Sequence, residues 1–200
     1  MMMTRDGLFS RLATLETPRL ILRRLTMADA ADIFSYSSDP EVARYVLWDA
    51  HRTIHDSRLF IRFILHQYRA DEPSSWGVVL KQTNRVIGTI GFMWWNIENR
   101  SAEVGYSLAR AYWGYGIATE ALFAVLRFGF ERMRLHRVEA QHAVENAASG
   151  RVMQKCGMRR EGVLRGRLYS KNQYMDVVLY AILDEDWRAM ARQAEAGWRR

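Results

Sequence analysis

The chain has few of the residues that staple or break a fold. Its 200 residues include one cysteine, Cys156, so no internal disulfide can form and a reducing compartment is expected. Its three prolines, Pro18, Pro40 and Pro73, all fall in the first half, and no linker, repeat or low-complexity tract follows. No apolar run approaches the roughly 18 residues that span a bilayer, because Arg or Glu interrupts the longest candidates. Residues 1–11 contain Arg5 and Asp6 but no apolar h-region, which does not read as a secretory signal. No membrane partner and a cytoplasmic location are therefore expected. The five histidines lack metal-ligand spacing apart from His51 and His55, for which a loop or solvent-facing role is expected, so no metal site is assigned.

What is present suffices for a packed core: 49% of residues are hydrophobic, and the length predicts one domain over residues 1–200. The core is expected over about 17–184, with 185–200 as a C-terminal tail. The formal charge is +7, and it is not spread evenly. Between Arg110 and Lys171 lie 12 basic and 5 acidic residues, leaving 17 of each elsewhere. A basic excess suits nucleic acid, an anionic surface or a phosphate-bearing small molecule.

Hydrophobic periodicity predicts a strand at Leu20–Leu25, a short helix over 26–35 capped by Thr26 and Asp29, a turn at Asp39 and Pro40, and a helix over 53–69. Strands follow at 76–80, 86–94 and 102–108, the first two as a hairpin. A helix from the glycine break to about Met133 places Ile117, Ala121, Val125 and Phe128 on one face. A strand at 138–143, a helix at 147–156 ended by Gly157, and strands at Val163 and 175–183 complete an α/β (α+β) domain.

Tyr112-Trp113-Gly114-Tyr115-Gly116-Ile117-Ala118-Thr119 sits where a strand gives way to a long helix. Two glycines let backbone approach a ligand, and the helix's first N–H groups are unpaired, an arrangement that binds phosphate. A dinucleotide fingerprint would need glycine where Thr119 stands, and a Walker loop would need Gly-Lys-Ser/Thr. Both are excluded. A glycine turn capping a core helix is the structural alternative.

The ordered set Thr17-Pro18-Arg19-Leu20-Ile21-Leu22-Arg23, Val86-Ile87-Gly88, Ala102-Glu103-Val104-Gly105-Tyr106, Trp113 to Ala121, Asn146-Ala147-Ala148-Ser149, Lys155-Cys156-Gly157-Met158 and Asp176 to Tyr180 resembles the GNAT superfamily of N-acetyltransferases. It looks most like the Rim-type group that acetylates ribosomal-protein N-termini. The resemblance implies a single GNAT-like domain with a mixed, mostly antiparallel sheet whose splayed central strands bind acetyl-CoA. It assigns the pyrophosphate to Trp113, Gly114, Tyr115, Gly116, Ile117, Ala118 and Thr119, the oxyanion to backbone N–H near Ser107 and Leu108, and the pantetheine arm to Asn146. The family's Gln or Arg three residues before the first glycine is Ala111 here.

Arg151 and Lys155, one helical turn apart, are expected to reach coenzyme phosphates or form a solvated face. Asn146 and Ser149 also read as helix caps. Glu103, in a strand of mostly small and apolar residues, is either the base or the partner of an arginine. The position where many relatives carry an acid tyrosine is Met153, and the Rim-type likeness points to Ser149 instead; a glutamate found in some Rim-type members corresponds to Leu168. Cys156 reads as a small buried residue at a helix end. Trp48, Trp94 and Trp95, near Met93, either line an acceptor groove or belong to the core.

The implied acceptor is an amine, a protein N-terminus first and a small amine second, with ribosome contact as a further use of the basic stretch. A coenzyme with several phosphates accounts for much of that charge. A non-catalytic acyl-CoA or ribosomal-RNA binding module is the reading from another class. The tail, with Trp187, Met190 and Trp198, is expected to pack on the domain or on the second copy of a homodimer.

Overall fold

A computed structural model describes residues 7–197. Trp198 lies outside the described residues. Eight strands form one sheet: β1 (Leu15–Glu16), β2 (Leu20–Arg23), β3 (Ser75–Leu80), β4 (Arg85–Asn96), β5 (Ser101–Leu108), β6 (Arg137–Ala143), β7 (Arg159–Ser170) and β8 (Gln173–Leu183). Their order is β1-β2-β3-β4-β5-β6-β8-β7. Only β5 and β6 run parallel, joined through helix α4 (Ile117–Glu131); the other neighbours are antiparallel. This is the mixed, mostly antiparallel sheet that the sequence implied.

Both faces of the centre are covered, so β3 and β4 are buried almost throughout rather than alternating. On one face, Phe128 of α4 meets Trp76 edge-on at 5.2 Å, and a Cβ on Gly129 would lie 3.3 Å from Phe92. On the other face lie α1 (Ala30–Ser37) and α3 (Ile54–Arg69). Ile117, Ala121, Val125 and Phe128 are all buried, as their spacing predicted.

Local chemistry explains the departures from expectation. The helix expected over 26–35 starts as a 3-10 turn at Met27–Asp29, where Asp29 closes a capping box on Thr26 and also takes both Arg23 nitrogens, at 2.9 and 2.8 Å. Burial alone would raise the Asp29 pKa, but the Arg23 and Thr26 hydrogen bonds outweigh it and hold the carboxyl below its usual range. The turn at Asp39 and Pro40 continues as α2 (Pro40–Ala43), with the Asp39 side chain accepting from Glu41 N–H. The hairpin β7–β8 is longer than expected and bulged, with Gly166 N–H held by Asp176 at 2.7 Å.

Two segments placed outside the expected core contribute to it. Phe9 is fully buried, edge-on to Phe92 and Trp95. Trp187, in α6 (Asp184–Gly197), packs between Phe123 and Phe130 of α4, at 4.9 and 5.5 Å. The start of the expected tail is therefore part of the same domain. Helix α5 (Ala147–Lys155) lies against α4, β6 and the β7–β8 hairpin.

Candidate active site

The glycine loop is set by conformation rather than by crowding. Gly114 and Gly116 have φ of +82° and +74°, which L side chains rarely adopt, yet a Cβ on Gly114 would meet nothing within 4 Å. Gly116 is the left-handed N-cap of α4, so the chain turns sharply and the first amides of a 15-residue helix face a cavity of about 510 Å³. Glu120, in that first turn, would oppose an anion there. It is instead directed outward, accepting from Thr17 Oγ1 at 2.6 Å, Arg19 N–H at 2.9 Å and Arg19 Nε at 2.6 Å. Arg19 also donates to the Tyr115 carbonyl at 2.8 Å, which ties the loop to β2.

Beside the loop, the two central strands part. The parallel pairing of β5 with β6 covers only Ser101, Ala102 and Glu103 against Arg137, Val138 and Glu139, although both strands continue. Ala109 N–H donates to Ile87 across β4, so strand alternation turns the amides of Tyr106 and Leu108 towards the gap and that of Ser107 towards β4. Trp113 Nε1 reaches the Leu108 carbonyl at 2.7 Å, which places the loop's tryptophan along the same opening. Across it stands the N-terminus of α5, where Asn146 caps Ser149 N–H at 3.3 Å.

A second cavity, of about 500 Å³, lies on the other side of the gap, and the two share a wall that includes Tyr45, Tyr106, Ser107, Asn146 and Ser149. At this wall the Ser149 hydroxyl is 2.8 Å from the Tyr106 phenol, which also donates to the Ser149 carbonyl at 3.1 Å. Burial pushes the Tyr106 pKa well above its ordinary value, so the phenol stays protonated at any working pH. Glu103 lines the second cavity and accepts from Trp94 Nε1 at 2.7 Å and Gln141 Nε2 at 2.9 Å. Its side-chain partners are two neutral donors, and among the described residues no arginine pairs with it.

The family model of the acetyltransferase (GNAT) domain matches residues 19–159. The chain belongs to this GNAT family. It is 33% identical over 174 residues to an uncharacterized N-acetyltransferase, p20, of Bacillus licheniformis, covering 87% of this chain and 98% of that one. With the uncharacterized N-acetyltransferase YoaA of Bacillus subtilis it shares 36% over 169 residues, 84% and 96% of the two chains. A solved GNAT-family acetyltransferase from Bacillus anthracis superposes with a TM-score of 0.77 at 32% identity, covering 86% of this chain and 99% of that one. The protein is thus a GNAT N-acetyltransferase, an enzyme family whose acetyl donor is acetyl-CoA.

Against this GNAT frame, the sequence-predicted residues converge on one place. Ser107, Leu108, Trp113, Gly114, Gly116, Ile117, Ala118, Thr119, Asn146, Ser149, Arg151 and Lys155 all line the first cavity, and its open amides beside two cationic side chains fit a coenzyme pyrophosphate. Tyr115 is the exception: its side chain is 70% exposed and does not line the cavity. Charge is distributed differently from the expectation. Of the twelve basic residues between Arg110 and Lys171, only Arg151 and Lys155 line the first cavity. Arg137 is bound to Glu139 and Glu161, Arg159 to Asp186, and Lys171 to the Ala43 and Arg44 carbonyls.

The tryptophans divide because β4 carries a bulge at Met93, which restarts the alternation so that Trp94 faces Glu103 and Trp95 turns into the core. Trp48 lines the second cavity, as does His51, whose ring bonds Ser57 Oγ at 2.8 Å while His55 is exposed. His51 is therefore a wall residue rather than a solvent-facing one. Cys156 is fully buried and its pKa is pushed up to about 12 by burial alone, with Sγ directed at the Thr119 carbonyl at 3.4 Å. Sequence reasoning missed two residues. Tyr106 and Arg19 enter the sequence reading only as members of the motifs Ala102-Glu103-Val104-Gly105-Tyr106 and Thr17-Pro18-Arg19, with no role of their own. The aligned motif Thr17-Pro18-Arg19 was the one available signal for the latter.

Proposed function

We propose that the protein transfers acetyl from acetyl-CoA directly to the N-terminal amine of a polypeptide, in the manner of the Rim-type enzymes. The observation that carries this reading is the shared wall, where Tyr106, Ser107, Asn146 and Ser149 face both a coenzyme cavity and a separate acceptor cavity. The choice of a polypeptide acceptor is supported by a relative named [Ribosomal protein uS5]-alanine N-acetyltransferase in Escherichia coli, 32% identical over 84 residues, 42% of this chain and 43% of that one.

Acetyl-CoA supplies a thioester carbonyl open to attack by an amine. Asn146 and the gap-facing strand hold the pantetheine arm, and the α4 amides with Arg151 and Lys155 hold the phosphates. Glu103, fixed by Trp94 and Gln141, takes the amine proton directly or through one water. The Leu108 amide meets the oxygen on which charge develops. Ser149 passes a proton to the leaving sulfur as the Tyr106 phenol, 2.8 Å away, turns its own proton from the Ser149 carbonyl to the serine oxygen, and solvent restores the phenol. Cys156, a buried thiol whose pKa burial pushes up, takes no covalent part.

Acetyl-CoA offered with a panel of N-terminal peptides and small amines, with products read by mass spectrometry, tests the reading. Nα-acetylated peptide is expected, together with a melting temperature that rises with acetyl-CoA concentration. Absence of any stabilisation by acetyl-CoA overturns it.

A further inference from the structure

The acceptor cavity has an uneven chemistry. At its floor, Glu103 is the one carboxylate among the described residues that line it, and no Lys or Arg lines it at all. Its outer wall is aromatic and apolar: Trp48, His51 and Phe60 stand in a row, with ring centroids 5.6 and 6.3 Å apart, and Phe63 and Met93 close the rim. Phe63 and Met93, 58% and 57% exposed, set apolar surface at the mouth of this cavity, where a ligand entering it can cover them. Burial also lowers the His51 pKa, so the row presents a neutral ring near pH 7 rather than a cation.

We infer that the acceptor is a primary amine bearing one bulky apolar or aromatic substituent, with the amine at Glu103 and the substituent against Trp48, Phe60, Phe63 and Met93. This rests on the proposed acetyl transfer. A polyamine would leave its second ammonium without an anion, and an acidic acceptor would find no cation. An alanine or serine at the N-terminus would reach Glu103 but leave the aromatic wall uncovered. A polypeptide beginning with Met, Leu or Phe and a free arylalkylamine share the required chemistry.

The test compares hexapeptides that differ only in a first residue of Phe, Met, Ala or Ser, together with 2-phenylethylamine and spermidine. It reads both turnover with acetyl-CoA and calorimetric binding to the protein saturated with coenzyme A. Burying one such side chain predicts kcat/KM about 10- to 100-fold higher for Phe and Met peptides than for Ala and Ser peptides. Trp48→Ala should reduce that preference roughly tenfold with coenzyme affinity unchanged, and Phe63→Ser, on an exposed helix face, should act in the same direction without burdening the fold. Equal or better use of Ala and Ser peptides, or of spermidine, overturns the inference. If 2-phenylethylamine exceeds every peptide, the inference holds and the polypeptide reading falls. If no amine turns over, binding still decides: apolar amines bound in preference support the inference while the proposed activity fails, and no preference overturns it.

Discussion

The two cavities that meet at Ser149 are built from different materials. The side proposed for the coenzyme offers backbone features: amides at the start of α4, left-handed glycines, and the unpaired edge of β5. The acceptor side is largely side chains, aromatic at the rim and a single carboxylate at the floor. Backbone recognition tolerates sequence change as long as the turn is kept, whereas side-chain recognition changes with each substitution. On the proposed function, the backbone half holds the donor and the side-chain half sets the acceptor.

Substitutions separate the two halves, beginning with the largest expected effect. Gly114→Asp adds a carboxylate beside the proposed pyrophosphate site; its Cβ has room, but φ of +82° strains any L side chain there, so Gly114→Ala is the control that separates strain from charge. A like-charge clash of several kcal/mol predicts coenzyme affinity lower by roughly three orders of magnitude, read by calorimetry. Glu103→Gln should lower kcat about 100-fold with coenzyme affinity unchanged. Unchanged kcat would remove Glu103 from the mechanism.

Ser149→Ala and Tyr106→Phe are each expected to cost roughly tenfold in kcat. If they act as one unit, the double variant should lose little more than either alone in a double-mutant cycle. Arg19→Ala releases the Tyr115 carbonyl and Glu120 together, and a pair this exposed predicts only a few-fold weaker coenzyme binding. Cys156→Ala should change turnover by less than about twofold, because a thiol held near pKa 12 offers no thiolate at neutral pH. Rapid inactivation of the unmodified protein by a thiol reagent, lost in Cys156→Ala, would contradict this.

How legible each half was follows from the same contrast. Gly114, Gly116, Asn146 and the face of α4 could be read from spacing and motif, because the backbone geometry they encode is local. The partners of Glu103 could not, since Trp94 reaches it only through the bulge at Met93, and a bulge erases the alternation on which strand reading depends. Tyr106 was hidden for a related reason. Alternation sets it opposite Glu103, but the parting of β5 from β6 lets its phenol cross to α5. Charge misled in the other direction, because basic residues close in sequence part on folding: Arg137 on β6 goes to Glu139 and Glu161, and Arg159 on β7 to Asp186. Trp187 joined the core because α4 presents Phe123 and Phe130 on its outer side, an apolar surface that its inner face did not announce.

The short parallel pairing of β5 and β6 also bears on the life of the protein outside catalysis. Peptide groups beyond Glu103 on that edge require hydrogen-bonding partners, and in the proposed mode of binding a pantetheine arm lying there would act as a guest strand that completes the sheet. The molecule that is consumed in the reaction is then also part of the scaffold. Resistance to unfolding becomes a reading of acetyl-CoA supply, and a cell short of the donor would hold less of the enzyme as well as running it more slowly.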